Sequence, residues 1–232
     1  RQDDKINDGS SHTGSRTIAL VNKDGKISLW EPFSSTHAGI YQTSRNLYKN
    51  VYGDKLVFEE VNHNLGVSFR YVWRTSDQFG FIKTSTLTNH NASDVSVECV
   101  DGIENILPYG VEPDVQNSLS CLVDAYKKNE LQADCGLGLY TMSSILVDRA
   151  EPSEALSATA VWSTGLAQSQ KLISSIQLDK FRQGKGIEQE SDIRGRRGAY
   201  FIHDTIALAA NSQRQWSIIA DINLGPAAVK NL

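Results

Sequence analysis

Alternation with a period of two constrains this chain more than any other feature. In Val67-Ser68-Phe69-Arg70-Tyr71-Val72-Trp73-Arg74 every odd position is large and apolar, and polar residues fill most even positions. Successive side chains of a strand point to opposite faces, so the segment makes one buried face and one wet face, free for solvent or a ligand. Related apolar runs recur along the chain. Thr17–Val21 and Lys26–Trp30 flank Asn22-Lys23-Asp24-Gly25, the signature of a hairpin. Val57, Val67, Phe69, Tyr71, Trp73, Phe79 and Phe81 lie in short runs broken by Gly53-Asp54, Asn64 and Ser76-Asp77, which predicts a meander. Lys83–Val100 holds two more strands turning at Asn89-His90-Asn91-Ala92. Gly136–Val147, Leu156–Ser163, Gln170–Ile176 and Gly198–Asp221 resume the pattern. Their last part reads as a hairpin, Tyr200–Ala210 and Trp216–Ile222 about a turn at Asn211-Ser212.

One stretch departs from this pattern. Between Lys83 and Lys128 the strands give way to turn residues (Asp101-Gly102, Pro108, Gly110, Pro113) and then to a helical spacing. Val115, Leu119, Leu122, Val123 and Tyr126 fall on one helical face, Pro113 suits a first turn, and Lys127 and Lys128 complement the C-terminal dipole. Leu178–Arg197 is polar and Gly-bearing, a long excursion with a short helix. Residues 1–15 are polar and bury too little to offset ordering entropy, so they form a flexible lead-in. The remainder, 16–232, is predicted to be mainly β. It forms one large antiparallel two-sheet supersandwich with one short inserted helix near 113–128.

Charge and cysteine usage exclude several roles. A net charge of −4 does not suit a nucleic-acid partner. The basic cluster Arg194-Gly195-Arg196-Arg197 lies near Glu188, Glu190 and Asp192 and reads as a solvated loop. Cys99, Cys121 and Cys135 have no metal-ligand spacing and cannot all pair; Cys99 in a strand and Cys121 on the apolar helix face are expected to be buried. Unpaired thiols place the chain in a reducing, cytoplasmic setting. No apolar run reaches the roughly 20 residues that cross a bilayer, so no membrane partner is expected. The chain opens with Arg-Gln and no initiator Met, as an excised or processed piece would.

Motifs for chemistry are sparse. Neither G-x-S-x-G nor G-x-x-x-x-G-K-S/T nor G-x-G-x-x-G occurs, and Gly136-Leu137-Gly138 merely leads into a strand. The histidines His12, His37, His63, His90 and His203 lack the H-x-x-x-H or H-x-H spacing of a metal site; neither a metal nor a cofactor is expected. Tyr71, Trp73, Trp162 and Tyr200 are the candidates for stacking on sugar rings, although aromatics of a sandwich are more often core. The carboxylates available for acid–base work on sugars are Asp101, Glu104, Asp124, Asp148, Glu151 and Asp221. Of these, Asp101-Gly102 is first a turn signal and Asp148-Arg149 first a local ion pair. No catalytic residue emerges from the residues alone.

A resemblance adds a direction. Leu87-Thr88-Asn89, Val95-Ser96-Val97-Glu98, Asp101-Gly102-Ile103-Glu104-Asn105-Ile106-Leu107-Pro108, Asn117-Ser118 and Asp124-Ala125-Tyr126 resemble the N-terminal β-supersandwich of cellobiose-phosphorylase-like carbohydrate-active proteins, with its galactose-mutarotase-like topology. Tyr71-Val72-Trp73 and Trp216-Ser217-Ile218-Ile219-Ala220-Asp221 suit the same likeness, which spans roughly 17–224. It implies a non-catalytic accessory domain of a larger bacterial glycoside phosphorylase or hydrolase. Such a domain supports an (α/α)6 catalytic barrel of the same polypeptide, lends a loop to its oligo- or polysaccharide pocket and contributes to a homodimer. The alternatives are a carbohydrate-binding module, and a free-standing mutarotase or epimerase using a His and a Glu across one sheet face. Neither His90 nor His203 aligns to that pair.

Overall fold

The computed structural model describes residues 12–144 and 157–232, without the side chains of Pro113, Asn117 and Ser120. Two antiparallel sheets account for most of it. Strands β1 (Gly14–Lys23), β2 (Lys26–Trp30), β7 (Val95–Ile106), β11 (Gln170–Leu172) and β13 (Gly198–Leu208) form the smaller sheet, in the order β11-β13-β7-β1-β2. The larger sheet contains β3 (Thr43–Lys49), β4 (Lys55–Asn62), β5 (Val67–Ser76), β6 (Gly80–Asn89), β8 (Lys127–Gln132), β9 (Leu137–Met142), β10 (Ala158–Thr164), β12 (Asp192–Arg194) and β14 (Gln213–Leu224). Its order is β12-β8-β9-β10-β14-β6-β5-β4-β3. Four short helices complete the described residues: α1 (Pro113–Ser118), α2 (Ser120–Ala125), α3 (Leu178–Arg182) and α4 (Pro226–Lys230).

The period-two pattern sorts side chains as expected. Val67, Phe69 and Tyr71 of β5 and Trp216 and Ile218 of β14 point inward to meet Val97, Ile103, Tyr200 and Ile202 of the smaller sheet. The alternate residues of that sheet, Ile18, Leu20, Val100 and Phe201, form a second cluster under Leu178 and Phe181 of α3. The middle of the smaller sheet is thus buried on both faces, which explains the near-continuous apolar runs of Ile18–Val21 and Ala199–Ile202. Arg182 anchors α3 by donating from Nε and Nη2 to both oxygens of Glu31, at 2.9 Å each. The first hairpin closes through Asp24 (φ 52°) and Gly25 (φ 78°), with Lys23 opposite Lys26, and the β3–β6 meander forms as predicted.

Four expectations need correction. Asp101-Gly102 is not a turn but the middle of β7, opposite Phe201 and Ile202. The residues before β8 make two six-residue helices that break at Leu119 (φ −123°), and Lys127 and Lys128 begin β8 instead of ending a helix. Cys121 is exposed, since the helical face carrying it covers little core. The last two strands are not a hairpin: β13 pairs with β7 and β11, and β14 pairs with β6 and β10. The chain crosses between sheets at 209–212, as it also does at 90–94.

Those two crossovers are locked together. Asn89 Nδ2 donates to the carbonyls of Ser93, Leu208 and Ala209, and its Oδ1 accepts from the Asn91 amide. The Ala210 amide in turn donates to Asp94 Oδ1 at 3.0 Å. At the centre of the sandwich Asp101 accepts from Lys83 Nζ (2.5 Å), Thr17 Oγ1 (2.7 Å), Ser85 Oγ (2.8 Å) and Trp216 Nε1 (2.8 Å). All four donors and the carboxylate are buried, so this node joins the sheets with its charge fully compensated.

Candidate functional site

A cleft of about 430 Å³ opens beside the end of β7. Its walls come from five pieces of chain: His12 ahead of β1, Glu104 and Asn105 of β7, Asp124 of α2, Ser174–Ile176 after β11, and Gly195–Arg197 after β12. A bulge shapes the first wall. The β7–β13 register shifts between Gly198 and Ala199, which skips Asn105 and leaves it at φ 58°. Glu104, one residue earlier, accepts from Arg16 Nε at 2.5 Å and from Ser175 Oγ at 2.8 Å.

Buried polar groups hold the other walls. Glu190 accepts from the Ile173 amide (2.8 Å), Ser174 Oγ (2.9 Å) and Gln177 Nε2 (3.0 Å), which fixes the 173–177 loop. Asn129 of β8 donates to the carbonyls of Ile173 and Arg196, tying that loop to the arginine loop. The Gly195 amide donates to the Lys127 carbonyl at 3.0 Å. Asp124 accepts from Lys127 Nζ at 2.8 Å, Gln116 Nε2 at 3.3 Å and Arg197 Nε at 3.4 Å.

This pair shifts in a way that simple attraction does not predict. Partial burial pushes the Asp124 carboxyl up, but the bonds from Lys127, Gln116 and Arg197 outweigh it and hold the group below its usual range. Lys127 is also lowered, because its ammonium is fully buried and loses more by desolvation than Asp124 returns.

The sugar-stacking candidates are dispersed. Tyr71 is in the core, stacked on Phe58 at 4.8 Å with Phe33 edge-on at 5.3 Å; burial, with Asp101 adding, pushes its phenol up to about 12. Tyr200 is also in the core, donating to the Gly136 carbonyl at 2.7 Å, and burial raises its phenol. Both rings are taken up by packing and offer no face to a ligand. Trp73 is half-buried against the same core. Trp162 is half-buried, with Phe79 edge-on at 5.8 Å.

Among the carboxylates, Glu104 and Asp124 meet in the cleft and Asp101 is in the core node. Asp221 is half-buried at the far end of β14, and Asp148 and Glu151 lie outside the described residues. His203 and Glu98 do share one face of the smaller sheet. Their side chains touch at 2.9 Å, the other ring nitrogen meets Gln170 at 3.1 Å, and Phe181 packs on the ring. Among the described residues no group of three or more His, Cys, Asp or Glu side chains is placed to hold a metal ion.

The sequence reading missed Glu190, Asn129 and the role of the arginine loop. One signal was present: an Arg-Gly-Arg-Arg turn directly ahead of the apolar strand β13 must be held close to the sheet it enters.

No family model and no curated protein matches the chain. Similar solved structures are a polysaccharide lyase (12% identity, TM-score 0.45, 95% of this chain and 27% of that one) and a galactose mutarotase-like protein from Clostridium acetobutylicum (12%, 0.41, 95% and 82%). A third is a protein from Synechocystis sp. PCC 6803 (8%, 0.40, 87% and 72%). The chain therefore spans about a quarter of the lyase it resembles.

Proposed function

We propose that this chain is a non-catalytic β-supersandwich domain of a larger carbohydrate-active protein of the glycoside phosphorylase or hydrolase kind. It supports the (α/α)6 catalytic barrel of the same polypeptide and sits beside its saccharide pocket. The sequence resemblance over 17–224 sets this direction. The observation that carries it is the state of the described carboxylates best placed for acid–base work. Asp101 is buried with four donors, Glu104 is bound by Arg16 and Ser175, and Asp124 is bound by Lys127, Gln116 and Arg197. A carboxyl that must trade a proton needs a partner in the substrate, and these are committed to the protein.

The β3–β4 hairpin suits the docking role. It ends the larger sheet, all of β3 is exposed, and its turn presents Val51 (97% exposed) and Tyr52 (92%) beside Leu47 and Tyr48. An unpaired edge with a contiguous apolar tip is a surface that a partner covers. The test has two readings. Polarimetry of freshly dissolved sugar anomers and glycoside cleavage or phosphorolysis assays should show no turnover by the chain alone. Amide exchange at 47–56 should be fast in this chain and at least tenfold slower in the parent polypeptide, about the factor that a 1.4 kcal/mol difference gives. Turnover by the isolated chain, or unchanged exchange in the parent, overturns the proposal.

A further inference from the structure

The geometry points to the cleft beside β7 as a binding site for an acidic saccharide, one that bears a carboxylate or sulfate group. The choice of a saccharide rests on the carbohydrate-active reading above; the choice of an acidic one comes from the charges in the cleft.

Each carboxylate there already has its own cation. Glu104 is matched by Arg16 and Asp124 by the buried Lys127. Two guanidinium groups, Arg196 and Arg197, are then left over. Arg197 contacts Asp124 only through Nε, at 3.4 Å, which orients the side chain and leaves its two terminal nitrogens for a ligand. Among the described residues no hydrogen-bond partner is found for the Arg196 guanidinium, which is exposed on the cleft wall. Its backbone, by contrast, is tethered: the Gly195 amide just before it donates to the Lys127 carbonyl at 3.0 Å, and its own carbonyl lies 3.4 Å from Nδ2 of the buried Asn129. A guanidinium on a pinned backbone pays less ordering entropy when it binds and matches the planar, two-oxygen edge of a carboxylate or sulfate.

The rest of the cleft suits a sugar carrying that charge. The exposed Ser175 hydroxyl, which can still accept while it donates to Glu104, the His12 ring and the Asn105 side chain supply further polar groups, and exposed Ile176 supplies apolar surface. Its size falls within the range of small-ligand pockets. Because Glu104 and Asp124 are held by ion pairs, they shape the walls without repelling the anion.

The probe is a short oligogalacturonate, compared by titration calorimetry with its fully methyl-esterified form. The two share ring, linkage and length and differ in charge. A sulfated disaccharide and inorganic sulfate complete the set. The expected result is binding of the oligogalacturonate, the sulfated disaccharide or both, with the ester about tenfold weaker or worse. Inorganic sulfate should also bind more weakly than either saccharide. Arg196→Ala and Arg197→Ala should each weaken the acidic ligand by about tenfold, the loss of a charge-assisted hydrogen bond. Arg196→Ala should leave the thermal transition unchanged, since that side chain is exposed. Equal affinity for the ester, sulfate binding as tight as the saccharides, no binding of any acidic saccharide, or full affinity in both arginine variants overturns the inference. None of those results touches the accessory-domain reading, which the turnover and exchange measurements decide.

Discussion

Asp101 and Lys83 show what a fully buried charge does in a sandwich. Their carboxylate and ammonium meet at 2.5 Å between the sheets, and Thr17, Ser85 and Trp216 fill the remaining acceptor positions of Asp101. Burying an ion pair is rarely a net gain over apolar packing, but removing one partner strands the other in a medium that cannot solvate it. Lys83→Met should therefore destabilise the protein by about 3–5 kcal/mol in urea unfolding. A loss under about 1 kcal/mol, the size expected for an ordinary hydrogen bond, would show that Asp101 finds compensation elsewhere. Asp124 gives a pH-dependent counterpart. Its folded-state pKa lies below the unfolded value of about 3.9, so its contribution is complete above that pH and disappears as pH falls through the folded value. As pH falls below about 4 the thermal midpoint should fall less steeply in Asp124→Asn than in the parent, even though the variant starts lower. Parallel slopes would mean that other carboxylates govern the acid limb.

At the level of single strands, Gly102 explains why β7 was misread. Asp-Gly is a common turn pair, yet here the glycine lies where Phe201 of β13 lies across the β7 backbone. A Cβ at Gly102 would stand 2.2 Å from the Tyr200 carbonyl and 2.3 Å from the Phe201 ring. Gly102→Ala should cost about 1–3 kcal/mol as an overpacking substitution, with the β7–β13 amides losing exchange protection first. An Ala variant of parental stability would show that both the β13 backbone at Tyr200 and the Phe201 ring have room to move. Much of the fold was legible wherever one face is buried and the other wet, as in β5, because period two then writes itself into the residue order. It was illegible in β13 and β14. Two adjacent apolar strands with a turn between them look alike whether they pair with each other or go to different sheets, since their partners β7 and β6, and the Asn89 and Asp94 contacts at the crossover, lie roughly a hundred residues or more away. The cleft was half legible. Glu104 and Asp124 stood out as carboxylates, but the buried hold of Asn129 on the Arg196 carbonyl leaves no local pattern.

Across the whole molecule, both sheets depend on pairings distant in sequence. In the smaller sheet β1 lies against β7, with Gly14 opposite Glu104, and β7 lies against β13, with Val95 opposite Leu208. In the larger sheet β14 sits between β6 and β10, joining the 43–89 meander to the 127–164 strands. The last two strands are therefore central in the architecture although terminal in the sequence, and they supply core side chains to both halves: Tyr200 and Ile202 from one, Trp216 and Ile218 from the other. Deleting residues 198–232 removes the strand between β7 and β11 and the strand between β6 and β10 in a single cut. The remaining chain keeps every local turn and hairpin of its first hundred residues, yet it should lose near-UV circular dichroism and cooperative urea unfolding entirely, because neither sheet retains a continuous buried face. If the truncated chain instead unfolded in one sharp transition, the 14–106 segment would be a self-sufficient folding unit. The β6–β7 crossover alone, and not β13 and β14, would then hold the sheets together.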